Sequence, residues 1–377
     1  MNPASWKTKN RGNLIPTSRV AFLFKGGREN RKCGDSPTEF FYGMPELEAV
    51  GWDIEVVNDR DLGLSSPPAS LFWRIAGHLS HVVVGSSVWV LRELARPMRL
   101  ECLNKFDVLV ATTNTFGLAI GALKRLGMLR ARVVFLAMGL VEESSPALWK
   151  AFYRWALKDV EVYALAKADA QVMTILLGRL VGTFHYGIDT VFWYPSKIQG
   201  VPESFILSIG NDRHRDFDLL IRAWKPEYPL LKIVTKLPVA KHGDNIQVIH
   251  GDWYTQALSD TEIRSLYQNA KFVILPIKNT RQPSGQSACL QAMACGKAVV
   301  LSNIDGLWNH DWMVDGETVI LTPPGNVYQL AEKVELLVKN PALAACLGMS
   351  ARAVVEEHLS SNSMAEAMES ILERVDD

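Results

Sequence analysis

Residues 272–302 constrain the fold of this chain more than any other stretch. An apolar run, Phe272-Val273-Ile274-Leu275, gives way to a polar loop that holds Lys278, Arg281 and Gly285. The loop opens a short helical segment that Gly296 ends, and a second apolar run, Ala298-Val299-Val300-Leu301, follows at once. That order predicts a β–loop–α–β unit. Strands joined this way lie parallel, and parallel strands need helices on both faces. The start of such a helix is also an anion site, because its free N–H groups and its dipole both favour negative charge. A phosphate-bearing ligand is the first expectation.

The same alternation runs through two halves of the chain. In the first, apolar runs predict strands at 19–25, 53–57, 106–111 and 132–137. Helical spacing covers 38–50 (with a break at Pro45), 117–126 and 149–165, while 170–174 and 180–183 are ambiguous. A polar and aromatic linker spans 187–196. Strands then follow at 204–209, 231–235, 246–249 and 318–321, with helices at 217–224, 260–269, 327–339, 341–357 and 363–375. The fold class is α/β.

A chain of 377 residues is long enough for two ordinary domains. The formal net charge is zero, which argues against a protein that coats nucleic acid, so no nucleic-acid partner is expected. Cys33, Cys102, Cys289, Cys295 and Cys346 form no CxxC pair and read as reduced, mostly buried thiols. The first 18 residues are polar and hold no signal-peptide core; the apolar-leaning stretch 79–91 is too short and too polar to span a bilayer. The expectation is a cytoplasmic protein. Residues 71–100 mix Phe72, Trp73 and Trp89 with Arg74, Arg92, Arg96 and Arg99, and 149–165 adds Trp155, Arg154 and Lys158. Two readings stand: amphipathic helices packed on the first sheet, or helices in peripheral contact with the inner face of a membrane.

Ligands of parallel sheets bind beyond the strand C-termini. The loops 210–216 and 278–287 therefore open on one rim. Arg213 and Arg215 from the first, and Lys278 and Arg281 from the second, make a diphosphate cradle with Gly210 and Gly285; any one of these cations alone would read as an ordinary surface residue. Gly26-Gly27, with Lys25, Arg28 and Arg31 near, lets backbone approach a ligand or simply makes a tight turn. Thr38, Glu39 and Tyr42 follow as candidate contacts to an acceptor. His185 sits at the hinge and reads as structural. Asp59-Arg60-Asp61 reads as a turn with solvated acids, so no metal and no cofactor is expected.

Four ordered motifs resemble the family 4 glycosyltransferases. His185-Tyr186-Gly187-Ile188-Asp189, with Phe192 and Pro195, is similar to the family's interdomain linker. Ile206-Leu207-Ser208-Ile209-Gly210, continuing to Arg215-Asp216-Phe217, is similar to its strand, basic loop and helix. Leu290-Gln291-Ala292-Met293-Ala294-Cys295-Gly296 and Val314-Asp315-Gly316-Glu317-Thr318 with Pro323-Pro324-Gly325 match the later motifs. The likeness covers residues 183–375. It implies the GT-B architecture: two Rossmann-like doubly wound parallel-sheet domains facing a cleft. The expected divisions are 1–190, 191–357 and a C-terminal helix, 358–377, packing back on the first domain.

The resemblance implies a glycosyltransferase that moves a hexosyl group from a nucleoside diphosphate sugar to a glycan, lipid-linked or small-molecule acceptor, with retention and without metal. Arg213 and Arg215 would stabilise the departing diphosphate. Gly210, Asn211, Lys278, Arg281, Ser284, Gly285, Gln286, Ser287 and Gln291 would bind the donor, and residues 251–254 would face the base. Two departures stand out. The family's paired glutamates are replaced by Pro283 and Gln291, and its first-domain His-Gly by Met138-Gly139. A nucleotide-sugar-binding module without turnover, or a sugar-nucleotide epimerase, is the alternative.

Overall fold

A computed structural model of the chain describes residues 18–25, 35–64, 70–142, 144–196, 205–240, 243–252, 255 and 257–374. Strands β1 (Arg19–Phe24), β2 (Asp53–Asn58), β3 (Val108–Ala111), β4 (Arg132–Ala137), β5 (Glu161–Ala164) and β6 (Gly182–Thr183) form one sheet, in the order β2-β1-β3-β4-β5-β6. Strands β7 (Phe205–Ile209), β8 (Leu230–Thr235), β9 (Ile246–His250), β10 (Val273–Leu275), β11 (Val299–Ser302) and β12 (Ile320–Thr322) form a second, in the order β12-β11-β10-β7-β8-β9. Neighbouring strands pair in parallel throughout. Strands β3, β7, β10 and β11 are buried at every residue, which is why they read as unbroken apolar runs.

Helices α1 (Met44–Ala49), α2 (Leu71–Val84), α3 (Val88–Leu94), α4 (Pro97–Leu103), α5 (Asn114–Arg125), α6 (Ala147–Ala156) and α7 (Lys167–Leu177) belong to the first half. The second half carries α8 (Phe217–Ala223), α9 (Asp260–Asn269), α10 (Gln286–Ala294), α11 (Val327–Lys339), α12 (Pro341–His358) and α13 (Ser361–Leu372). Local chemistry fixes several starts. Asp216 caps α8 through the Leu219 N–H, and Ser259 and Glu262 make a reciprocal capping box on α9.

Two expectations are corrected. The helical spacing read over 149–165 belongs to two elements, α6 and β5. Val160, Val162 and Tyr163 are β-formers, and the slot between β4 and β6 pairs residues 161–164 as a strand, so sheet closure overrides the helical pattern. Pro45 does not break a helix over 38–50. It lies in the first turn of α1, where its missing N–H costs nothing, and the break falls earlier, at Tyr42 and Gly43 with φ of 55° and 82°.

One apolar cluster runs from Val20 and Phe22 of the first sheet, through Tyr186, Ile188 and Trp193 of the linker, to Leu207, Met293 and Leu359. The chain crosses back at the same place. Ile188 donates to the Leu359 carbonyl and Ser361 donates to the Ile188 carbonyl, each at 2.8 Å. The Arg352 guanidinium on α12 gathers the carbonyls of Thr190, Trp193 and Ala294 at 3.1, 2.7 and 2.6 Å. Arg264 lies over the Phe192 ring and donates to its carbonyl. Helix α13 then packs on the first half, where Arg132 donates to the carbonyls of Ile371 and Leu372, and Trp52 Nε1 to Glu369.

This crossing leaves no room for side chains at two glycines. A Cβ at Gly187 would overlap the Ser360 carbonyl, and one at Gly43 would lie 2.6 Å from the Ala365 Cα. Gly187→Ala is expected to cost about 1–3 kcal/mol, because the obstacle is backbone and cannot rotate away. A urea midpoint equal to that of the wild type would show that the crossing is looser than described.

Candidate functional site

The order of the second sheet reverses between β7 and β10, and the loops leaving these strands open a crevice at their C-terminal ends. Here the two loops are zipped together. Arg215 pairs with Ile277 in an antiparallel bridge, Asp216 N–H donates to the Pro276 carbonyl at 2.9 Å, and Lys278 N–H to the His214 carbonyl at 2.8 Å. The Arg215 side chain is 3% exposed. It lies against the backbone of Gly210, which sits at φ 151°, and a Cβ there would overlap the guanidinium. On its other side a Cβ at Gly285 (φ 83°) would stand 3.2 Å from Nη1 and 2.7 Å from Ile277 Cδ1. Two glycines thus make the slot that one guanidinium fills.

Asp212, which the sequence did not single out, organises this slot. Its Oδ2 lies 2.8 Å from Arg215 Nε, and its Oδ1 accepts from Ser284 Oγ at 2.8 Å and from the His214 N–H at 3.1 Å. Arg215 Nε is close to Asp212 but not aligned to donate, and Nη1 is buried without a hydrogen-bond partner among the described residues. An under-satisfied buried cation is costly, which makes this guanidinium a candidate anion contact. Gly285 ends the loop in a left-handed turn and α10 begins with no side-chain cap.

The other donor-side candidates separate. Asn211 turns away, donating to the Gly251 carbonyl at 2.6 Å and accepting from Lys236 N–H at 2.7 Å and Thr235 Oγ1 at 3.2 Å, so it ties the loop to the ends of β8 and β9. Trp253 and Tyr254 of the expected base-facing loop lie outside the described residues. The side chains of Lys278 and Arg281 are exposed; Gln286 is buried and Ser287 half-buried in the first turn of α10. Arg213, 70% exposed, reaches across the crevice and pairs with Glu142 of the first half. Gln282 Nε2 meets the same carboxylate at 3.3 Å. Neither Glu142 nor Gln282 carried a sequence signal, because their roles arise only when the halves meet.

Opposite them, the loop after β4 replaces the family's His-Gly with Met138-Gly139. Asn114 Nδ2 donates to the Met138 carbonyl at 3.0 Å, and the Gly139 N–H donates to Asp169 at 3.1 Å. Burial raises the Asp169 carboxyl to about 6. A Cβ on Gly139 would collide with the Gln282 amide. Gly26 and Gly27, with Arg28 and Arg31, lie outside the described residues. The Asp59-Arg60-Asp61 stretch is a turn in which Asp61 accepts from the Asn58 N–H at 2.9 Å. Burial pushes the Cys289 and Cys295 thiols up to about 12; Cys102 is half-buried and Cys346 exposed, so "mostly buried" holds for only two of these four.

The candidate acceptor residues gather at the domain junction. Thr38 donates from N–H and Oγ1 to Asp189 Oδ2 at 3.0 and 3.1 Å. Tyr42 is buried among Phe24, Phe184 and Tyr186, with its hydroxyl 3.9 Å from Met138 Sδ. His185 Nε2 bonds the His358 carbonyl at 2.8 Å, and burial holds its imidazole below the usual range. Glu39 is fully buried. Trp193 Nε1 donates to its Oε1 at 2.9 Å and Gln291 Nε2 at 3.2 Å, while Tyr267 Oη donates to Gln291 Oε1 at 3.2 Å. Gln291 is thus spent on a contact between the two halves.

Burial raises the Glu39 carboxyl from 4.5 to about 8, with nearby Asp189 adding to the shift. The folded state therefore holds a proton that the unfolded chain releases above about pH 4.5, and stability falls as pH rises towards about 8. Asp169 acts alike but over a lower window, ending at about 6. Between about pH 6.5 and 8.5, where Glu39 dominates, the wild type is expected to lose on the order of 2 kcal/mol and Glu39→Gln much less. Equal slopes in urea titrations of the two proteins would refute this assignment.

Residues 204–340 match the family "Glycosyl transferases group 1". The alpha-maltose-1-phosphate synthase of Mycolicibacterium smegmatis is 27% identical over 227 residues, 50% of this chain and 55% of that protein. The capsular polysaccharide biosynthesis glycosyltransferase CapM of Staphylococcus aureus is 29% identical over 107 residues, 28% of this chain and 27% of that protein. The chain thus spans about half the length of the first of these relatives and less of the second. Among solved structures, Anabaena HepE in complex with UDP and glucose superposes with a TM-score of 0.65 at 15% identity, over 95% of this chain and 100% of that one. Sucrose-phosphate synthase from Thermosynechococcus elongatus superposes with a TM-score of 0.71 at 15% identity, over 94% and 98%. Two six-stranded parallel sheets and a linker pinned by a returning C-terminal helix make this a chain of GT-B fold, whose residues 204–340 match the group 1 glycosyl transferases.

Proposed function

We propose that the chain is a glycosyltransferase that takes a hexosyl group from a nucleoside diphosphate sugar, with retention and without a metal. The observation that carries this reading is the Arg215 guanidinium, enclosed between Gly210 and Gly285 at the strand-order reversal, with buried Nη1 unpartnered. It lies within the stretch that matches the group 1 family. Bond cleavage at the anomeric carbon leaves growing negative charge on the diphosphate. A cation fixed in a low-dielectric slot, beside the uncapped start of α10, stabilises that charge more than it stabilises the intact donor. Arg213 and the cations Lys278 and Arg281 lie further out, where they would draw the anion in.

The donor would enter by opening the crevice, exchanging the Arg213–Glu142 pair and the Gln291–Glu39 contact for its phosphates and ribose. Once released from Glu39, the Gln291 amide would be able to bond a ribose hydroxyl. A second reading, a nucleotide-sugar-binding module without turnover, is favoured by Pro283, which cannot supply a carboxylate to the sugar.

UDP is the first probe, since it is the ligand of the HepE complex. It is expected to raise the melting temperature of the wild type, and Arg215→Ala to weaken its binding about tenfold to a hundredfold, the loss of one charge-assisted hydrogen bond. Diphosphate release from a panel of nucleoside diphosphate sugars separates the readings. Release that Arg215→Ala abolishes supports the transferase; binding without release from any donor or acceptor supports the module. Nucleotide affinity indifferent to Arg215 would sink both.

A further inference from the structure

We propose that the outward face of α2 docks on an anionic phospholipid bilayer. A helix packed on a domain turns its apolar stripe inwards. Helix α2 does the reverse. Its one buried residue is Gly77. At 100° per residue, Leu71, Phe72, Ile75, Leu79, Val82 and Val83 fall within an arc of about 120° on the other side. All six are exposed, Leu71 and Phe72 by 67% and 68%. The stripe runs the length of the helix, about 21 Å.

The helix is held from its inner side without using that stripe. Trp149 Nε1 on α6 donates to the Val82 carbonyl at 3.0 Å and Tyr153 Oη to the Gly85 carbonyl at 3.2 Å. Arg92 stacks on Trp73 at 4.4 Å. Neighbouring α6 exposes Leu148 and Trp155 beside the exposed cations Arg154 and Lys158.

Charge selects the partner. No Asp or Glu occurs from residue 62 to residue 92. Arg74 is exposed on α2 itself. Beyond it, Arg92, Arg96 and Arg99 converge on the single buried carboxylate of Glu93, which leaves a positive surplus. An apolar stripe bordered by cations and free of acids matches an acyl layer beneath anionic headgroups. Among the described residues no helix is long and apolar enough to cross a membrane, so the contact is one of lying on the surface. This inference stands apart from the transferase reading and is tested without turnover.

The test is co-sedimentation of the full chain with vesicles of phosphatidylglycerol and phosphatidylcholine, against phosphatidylcholine alone. The wild type is expected to pellet with the anionic vesicles at low salt, to stay in solution with the zwitterionic ones, and to be partly released at ~0.5 M salt. The variant Leu71→Ser/Phe72→Ser/Leu79→Ser is expected to bind at least tenfold more weakly, with unchanged melting temperature. If it fails to fold, Phe72→Glu alone is expected to show the same loss. A wild type that stays in the supernatant at low salt overturns the proposal. So does a stripe variant that binds like the wild type, and so does a wild-type dimer that the variant dissociates, since the stripe would then cover a second copy of the chain.

Discussion

One carboxylate holds the two halves in register. Asp189 Oδ1 accepts the N–H groups of Val191 and Phe192 at 3.0 and 2.9 Å, and its Oδ2 accepts the N–H and hydroxyl of Thr38. The first pair shapes the turn that brings Trp193 into the core; the second fixes the residue before Glu39. Trp193 and Glu39 then meet each other and Gln291, so the buried Glu39 contacts of the junction follow from the turn that Asp189 shapes. These groups are buried, and a donor deprived of its acceptor there loses water as well as its partner. The junction is therefore specified by hydrogen bonding inside an apolar cluster that is itself continuous between the sheets.

The candidate phosphate slot follows a different logic. Burying a guanidinium is expensive unless its charge and its donors are met. Asp212 meets part of the charge, and the two glycines remove the side chains that would push Arg215 out to solvent, yet Nη1 stays unmet. A buried donor of this kind would be pre-organised for an anion, at some cost in stability. Asp212 has a double part in this account. It lies against the guanidinium, and its link to Ser284 would pass the arrival of a phosphate from one loop to the other.

Most of the architecture was legible because parallel strands buried on both faces leave long apolar runs, and because the runs alternate with helical spacing. The second sheet, four strands of the first, the switch-point loops and the Gly210–Arg215–Gly285 grouping follow from that pattern. The failures are as physical. Residues 161–164 carry strand formers at the end of a helical stretch, and only the slot between β4 and β6 decides their state. Asn211 resembles a ligand contact in sequence, but its amide is consumed by the ends of β8 and β9. Glu142, Gln282 and Asp212 act through partners far away in the chain or through one carboxylate's geometry, neither of which has a periodicity to read. Glu39 shows the same limit: it reads as a candidate acceptor contact, and its burial against Trp193 and Gln291 has no local pattern to announce it.

The outward face of α2 bears on the crevice. Its C-terminal end is tied to α6 through Trp149 and Val82, and α6 begins a few residues after Glu142, the first-half partner of Arg213. A surface that binds a bilayer at α2 would hold the mouth of the crevice close to the headgroup layer rather than far above it. An acceptor carried on a lipid would then need only a short polar reach, whereas a freely diffusing acceptor gains nothing from the arrangement. Docking of the stripe on a bilayer would thus favour an acceptor held at the membrane surface and would link the outward face of α2 to the choice of acceptor.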